Sequence, residues 1–330
     1  MRLAMYHINM RLLVLSLSVA VSAVASASFD LMLVGDNTSA GTNGARLMRY
    51  DPQTGAQLGY FGQGFLTGYV GGITVDRASG RAFVQNSSYI TVFNYNTGAY
   101  IGRASQTYGL ASIAYNASTD RLTTGYGRGN GFSITPLFNG DLTLLGNLAG
   151  RYTSTAPLIK PGTSTYFSWD IASGPQDVRA AAQNTAFSIT STVNVGHVIF
   201  SSNQDSGSYA SAFYGDYFYG MAYLGTTFSL LRVSTNATGF TGTVANIANI
   251  PSATLGNADM AAGHGDLIYM RTGNTIHMYS ASTNTFMGQQ TLPGIAAANV
   301  SGMALIIAPE PGTWAALGLG AIALMRRRRK

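Results

Sequence analysis

The chain has no cysteine, one glutamate (Glu310), two lysines (Lys160 and Lys330), two tryptophans and four histidines. Without cysteine there is no disulfide, no thiolate metal site and no cysteine nucleophile, so any stability comes from the packed core. Charged residues are only 10% of the chain. A sustained helical period with caps is missing throughout residues 28–308, which argues against a helical domain. Glycine is abundant instead, at 40 of 330 residues, serine, threonine and asparagine are plentiful, and aromatics reach 11%. That balance predicts many short strands joined by turns rather than disorder.

The formal net charge of +6 would invite a nucleic-acid reading. The excess cations, however, sit at the two ends of the chain. Removing Arg2, Arg11 and the five cations at 326–330 reduces the 19 basic residues to 12, and removing Glu310 reduces the 13 acidic residues to 12. Residues 28–308 are then formally neutral, and no nucleic-acid partner is expected.

Both ends read as addresses. Arg2 and Arg11 precede an apolar run at 12–24, and Ala25-Ser26-Ala27 comes next as an A-x-A cleavage site. Residues 1–27 are therefore expected to be a signal peptide, cut after Ala27 and handled by the Sec machinery. At the other end, 309–330 reads PEPGTWAALGLGAIALMRRRRK. Pro309 and Pro311 lack N–H donors and bar a helix, which is expected to start near Thr313. Twelve helical residues reach about 18 Å, short of the ~30 Å hydrocarbon core. The Arg326–Lys330 cluster can nevertheless rest at the cytoplasmic headgroups while Trp314 marks the opposite interface.

This order of parts resembles the PEP-CTERM sorting signal of Gram-negative bacteria: Pro309, Glu310 and Pro311 as the motif, 314–325 as a short transmembrane helix, and 326–330 as the stop. The resemblance implies recognition by a membrane-embedded exosortase, cleavage near the motif, and release to the cell surface or to an exopolysaccharide or biofilm matrix. It implies a transient inner-membrane anchor with the domain facing the periplasm. It covers only these 22 residues and says nothing about what the exported domain does.

Residues 28–308 read as a repeat. The clearest unit has strands at 72–76, 81–85, 90–95 and 99–103, joined by the turn sequences RASG, NSSY and NTG. Four strands in a meander make the blade of a propeller. One corner recurs, an aromatic or apolar residue and then a glycine: Tyr50 to Gly59, Tyr95 to Gly102, Val233 to Gly242 and Tyr279 to Gly288. With weaker copies ending at Gly146 and Gly196, the intervals are 43, 44, 50, 46 and 46 residues, the period of propeller blades. The fold class expected is all-β, a propeller of six blades, with seven shorter ones as the alternative. Its blade pattern resembles propellers of the YVTN or NHL kind. The first unit has strands at 30–34, 45–50 and 57–61 but none before them, whereas the unit at 257–290 already has four and 301–307 is left over. Residues 301–307 should therefore pair with 30–34 and close the ring, removing exposed edges.

Chemistry is sparse. His7 lies in the signal peptide. His264 and His277 share a unit, and a hairpin turning at 271–274 would set His277 opposite Ile268, well apart from His264. Three or four converging ligands are what a metal needs, so His197, His264 and His277 read as structural, and no metal or cofactor is expected. Asp36 with Asn37, and Asp120 with Asn116, offer oxygen ligands of the kind Ca²⁺ takes, but the competing reading is that they stabilise turns. Asp76 and Asp259 fall on first strands, which line a propeller's channel. No G-x-S-x-G, H-E-x-x-H or phosphate loop occurs; GYGRGNG at 125–131 has no helix after it. No catalytic residue is identified. The tyrosines at 214–223 are the one surface feature to exploit: Tyr214, Tyr217 and Tyr219 could stack on a sugar ring, against the alternative that they pack inward. The expected function is that of a non-enzymatic surface or matrix protein with glycan contact. The alternative is a propeller hydrolase or lyase acting on envelope polysaccharide.

Overall fold

The computed structural model describes residues 30–39, 44–105, 112–117, 119–125, 134–149, 158–160, 162–163, 165–171, 177–183, 189–197, 211–224, 227–250, 258–263 and 266–307. Residues 1–27, expected to be a signal peptide, and the sorting tail lie outside them. Among the described residues no helix is long and apolar enough to cross a membrane.

The described strands are short and bounded by Gly, Asn, Asp and Ser, and several, such as Leu31–Asp36, Arg81–Asn86 and Val300–Ile306, are buried almost throughout. In chain order they are β1 (Leu31–Asp36), β2 (Ala45–Tyr50), β3 (Gln57–Leu66), β4 (Val70–Asp76), β5 (Arg81–Asn86), β6 (Tyr89–Asn94), β7 (Tyr100–Ser105), β8 (Ser112–Asn116), β9 (Arg121–Gly125), β10 (Ile134–Asn139), β11 (Leu144–Ala149) and β12 (Leu158–Ile159). Next come β13 (Tyr166–Ile171), β14 (Asp177–Gln183), β15 (Ile189–His197), β16 (Ser211–Tyr214), β17 (Tyr217–Leu224), β18 (Thr227–Ser234), β19 (Ala245–Ile250), β20 (Ala258–Ala262), β21 (Leu267–Thr272), β22 (Thr275–Ser280), β23 (Thr285–Thr291) and β24 (Val300–Ile306).

These strands form four-stranded sheets in a β-propeller arrangement. Five sheets take consecutive strands: β4 to β7, β8 to β11, β12 to β15, β16 to β19 and β20 to β23. The remaining sheet has the order β24-β1-β2-β3. The last strand thus supplies what the first unit lacks, and its neighbour is β1, as the strand count predicted. Asn37 N–H donates to Asn299 O at 2.8 Å, joining the start of β24 to the end of β1.

Neighbouring sheets are tied together. The first strands touch each other, β24 against β4, β4 against β8, β8 against β12, β16 against β20 and β20 against β24. The sheet of β12 meets the next through Lys160, whose Nζ bonds Asp216 Oδ1 at 2.7 Å and Thr235 O at 3.0 Å. Phe167 edges against Phe213 at 5.3 Å across the same seam. The core between the sheets of β4 and β8 is Phe83, Ile90, Val92, Ile113, Leu122 and Phe138. Burying six such side chains removes roughly 1.5–3 kcal/mol each of exposure cost.

Two sequence expectations are corrected. The hairpin of β21 and β22 turns at Gly273-Asn274, with Thr272 opposite Thr275, so His277 faces Met270 and not Ile268. A two-residue loop with Gly273 at φ +56° fits the strand twist better than the wider turn expected at 271–274, and Arg271 becomes a strand residue. The glycine register also fails twice, at Gly196, which lies near the end of β15 rather than its start, and at Gly242. Gly59, Gly102, Gly146 and Gly288 all pair inside the fourth strand of their sheet, next to a bulge. Gly242 does not, because a Thr235–Phe240 bridge lengthens that connection and β19 begins only at Ala245.

Candidate functional site

Several expected site residues fall outside the described residues: Ala25 and Ala27, Pro309, Glu310 and Pro311, and His264. His197 ends β15, two sheets away from β22. His277 is buried, with Nε2 2.8 Å from Thr272 Oγ1, and its burial holds the imidazole pKa below the usual 6.5. Among the described residues no three metal-ligating side chains come together.

The three tyrosines face the same core and differ in depth. Tyr214 and Tyr217 pair across the Gly215-Asp216 turn and pack, half-buried, against the core of Leu230, Met260 and Ile268. The Arg232 guanidinium lies 4.3 Å above the Tyr217 ring. Tyr219 is buried in that core and its pKa is raised by desolvation. Its ring face is covered, so the expectation that it contacts a glycan is corrected: it shares a face of β17 with Tyr217, two residues along, but lies deeper in the same core.

The aspartate turns are bonded internally. Asp36 accepts Thr38 N–H at 2.9 Å and Arg46 Nε at 2.8 Å. Asn37 holds both backbone groups of Val70, at 2.8 and 3.2 Å, and Ser301 Oγ at 2.6 Å. Together they stitch the ends of β1, β4 and β24. Asp120 accepts the Tyr115 hydroxyl at 2.8 Å, and burial together with that bond pushes the phenol up to about 12. Burial alone would raise Asp76, but bonds from Ser79 and Arg81 outweigh it and hold its carboxyl below the ordinary range.

Asp259 on β20 is different. It is paired with Arg271 on β21, the largest fully buried side chain among the described residues. Arg271 Nη1 also donates to Gly273 O at 2.8 Å, while its buried Nε has no partner. Desolvation raises the Asp259 pKa despite the cation beside it. The carboxylate, 13% exposed, also accepts the Gly302 N–H of β24, so this pair bridges the last sheet to the strand that closes the first. Nothing in the spacing of the two residues marks them as partners.

The fourth strands carry the other feature. Each of four starts with a bulge that inserts one residue: Leu58 between Gln57 and Gly59, Ile101 between Tyr100 and Gly102, Leu145 between Leu144 and Gly146, and Met287 between Phe286 and Gly288. A bulge breaks the two-residue alternation and turns the inserted side chain outward. Leu58, Tyr60, Tyr100, Ile101, Leu144, Leu145, Phe286 and Met287 are 38% to 59% exposed. In the sheet of β16 to β19 the inserted residue is Ile247, half-buried, and the residues on either side of it are Asn246 and Ala248.

The segment beyond β24 decides the address. Residues 308–330 are a PEP-CTERM protein-sorting motif. The match confines itself to the tail and leaves the propeller unassigned. No curated protein sequence matches the chain. Among solved structures, the chain is similar to Kuenenia stuttgartiensis hydrazine synthase, with TM-score 0.51 and 14% identity over 72% of this chain and 71% of that one. It is also similar to a chain of a nidogen/laminin complex, with TM-score 0.57 and 10% identity over 84% and 98%. At those identities the likeness is one of fold. The PEP-CTERM motif marks an exported protein directed to an exosortase.

Proposed function

We propose that this chain is a surface or extracellular-matrix protein whose propeller is non-enzymatic and whose tail is removed by an exosortase. Residues 1–27 act as the signal peptide. The six four-stranded sheets act as six blades of one ring, held at the inner membrane on its periplasmic side by a helix at 314–325 until release into an exopolysaccharide-containing matrix. The observation that carries this reading is position: the sorting motif at 308–330 begins two residues after β24 ends at Ile306. Cleavage at Pro309–Glu310–Pro311 therefore severs the tail without removing a residue of the closing strand, and the released domain keeps no unpaired edge there. Pro309 and Pro311 lack the N–H donors a helix needs, so cleavage there requires no helix to unwind.

The experiment is mass spectrometry of the extracellular fraction from cells with and without the exosortase. The expected C-terminus lies within 309–313, and cells lacking the enzyme retain the intact chain in the membrane. Intact 326–330 in the extracellular fraction of exosortase-positive cells refutes the reading.

A further inference from the structure

Eight exposed apolar side chains on the outer strands form an arc with a fixed relation to the point where the tail leaves the domain. In each sheet the strands alternate in direction, so the start of the fourth strand and the end of the first lie at the same end. Hydrogen bonds trace the path in the first two sheets. Arg77 donates to Leu305 O on β24 at 3.3 Å, Tyr95 OH donates to Arg77 O at 3.4 Å, and Arg49 reaches Tyr95 O and Asn96 O. The next strand, β7, begins at Tyr100 and Ile101, both exposed. The arc spans sheets that are consecutive around the arrangement: those of β23, β3, β7 and β11. Its members are Phe286 and Met287, Leu58 and Tyr60, Tyr100 and Ile101, and Leu144 and Leu145.

We propose that this arc docks on the lipid surface while the tail holds the domain at the membrane. The inference rests on the reading of 314–325 as a membrane anchor. The chain itself supplies the argument for lipid. From Ile306 to Thr313 there are seven residues, which extend at most about 25 Å at ~3.6 Å each. The end of the sheets that carries the arc is thus tethered within that reach of the bilayer, and tethering raises the arc's effective concentration at the interface. The residue types suit it: tyrosine is at home at headgroup level, and leucine, isoleucine and methionine at the acyl boundary. Exposed apolar groups gathered along one arc, rather than scattered singly, mark an interaction surface. Of the cations at this end, Arg81 is engaged by Asp76, Lys160 by Asp216 and Arg232 by Asn284 Oδ1. The apolar side chains therefore carry the docking, and zwitterionic lipid suffices. Removal of the tail releases a domain whose contact with the membrane is then untethered.

The test uses the full chain, whose lack of cysteine allows single labels. Ile101→Cys, Leu145→Cys and Met287→Cys place a polarity-sensitive fluorophore on the arc. Tyr69→Cys places it at the opposite end, at another exposed aromatic position, and Ala321→Cys places it in the tail. Each protein is reconstituted in phosphatidylcholine vesicles with and without a doxyl-lipid quencher, and thermal unfolding confirms that each is folded. The expected result is a shift to shorter wavelength and a loss of emission to quencher at the three arc positions and at Ala321, but not at Tyr69, with no dependence on salt. Arc labels as wet as the Tyr69 label, with the Ala321 label quenched, overturn the inference and leave the anchor standing. An unquenched Ala321 label overturns the anchor; quenched arc labels in that case still support docking, and unquenched ones sink both. Arc labels that shift in lipid-free detergent solution as protein concentration rises identify a second copy as the occupant and overturn docking on lipid.

Discussion

Replacing Arg271 by methionine tests how the ring is closed. Arg271 is fully buried, and its partner Asp259 also accepts the Gly302 N–H of β24. Removing the cation leaves a carboxylate in a desolvated site with one backbone donor. Breaking a buried pair in this way costs about 3–5 kcal/mol, whereas replacing both members by apolar groups is often neutral or stabilising. The compact unit Met32–Ile306 has roughly 275 residues. At about 2.1 cal/mol/K per residue its unfolding entropy is ~0.6 kcal/mol/K, so the single substitution should lower Tm by about 5–9 °C. Arg271→Met with Asp259→Leu should recover most of that loss. The deficit should also depend on pH. Desolvation already raises the Asp259 pKa in the native protein, and loss of Arg271 raises it further in the variant. A raised carboxylate pKa means that the native state holds the proton more tightly than the unfolded state does. The penalty is therefore greatest at neutral pH and shrinks as pH falls through the variant's folded pKa towards the unfolded value. Thermal unfolding followed by circular dichroism at pH 7 and pH 5 measures all of this. A single variant as stable as the parent, or a double variant less stable than the single, would refute the assignment of the pair as a buried, ring-closing bridge.

Other outcomes are expected from the same structure. Truncation after Val300 removes nearly all of β24 and should give an aggregating protein by size-exclusion chromatography, whereas truncation after Ala308 should leave a monodisperse one. Gly302→Ala forces a side chain onto φ +63° with its Cβ 2.9 Å from Ile73 Cγ1, and urea unfolding should show a loss of about 2–4 kcal/mol from left-handed strain and overpacking. Arg49→Ala and Arg232→Ala each remove a charged donor that crosses to the next sheet, at Tyr95 and Asn96 or at Ala281 and Asn284; each should cost about 1.5–3 kcal/mol by the same measurement. His277 has a lowered pKa from burial, so its contribution is complete above the unfolded value of about 6.5 and is lost as pH falls towards the folded one. His277→Gln should flatten the part of the stability decline that begins as pH falls below about 6.5.

Local chemistry wrote the strands into the sequence. The turn sequences RASG, NSSY and NTG punctuate the sheet of β4 to β7, and the predicted strands fall within a residue or two of those observed, because turn dihedrals and alternate burial are properties of a few consecutive residues. Counting strands was enough to assign the closing role to β24. The address at 308–330 was equally legible, since a sorting signal is read as an extended segment by another protein and does not wait on the fold.

Features that depended on register were not legible. Asp259 and Arg271 become partners only once the connection at 263–266 sets β20 against β21. Arg49 and Arg232 find backbone carbonyls on a different sheet, and a carbonyl has no signature in sequence. Tyr219 shares a face of β17 with Tyr217 but is covered by the next sheet, through Met260, Ile268 and Tyr279, and no local pattern shows which part of a face a neighbouring sheet covers. The outward aim of Leu58, Ile101, Leu145 and Met287 arises from a bulge, and inserting one residue reverses which side chains face out. The sequence by itself determined the strands, the repeat and the address, because each is encoded within a few neighbouring residues. The tertiary structure alone decided which charges are buried together and which apolar groups stay in water, because both are set by contacts between residues far apart in the chain.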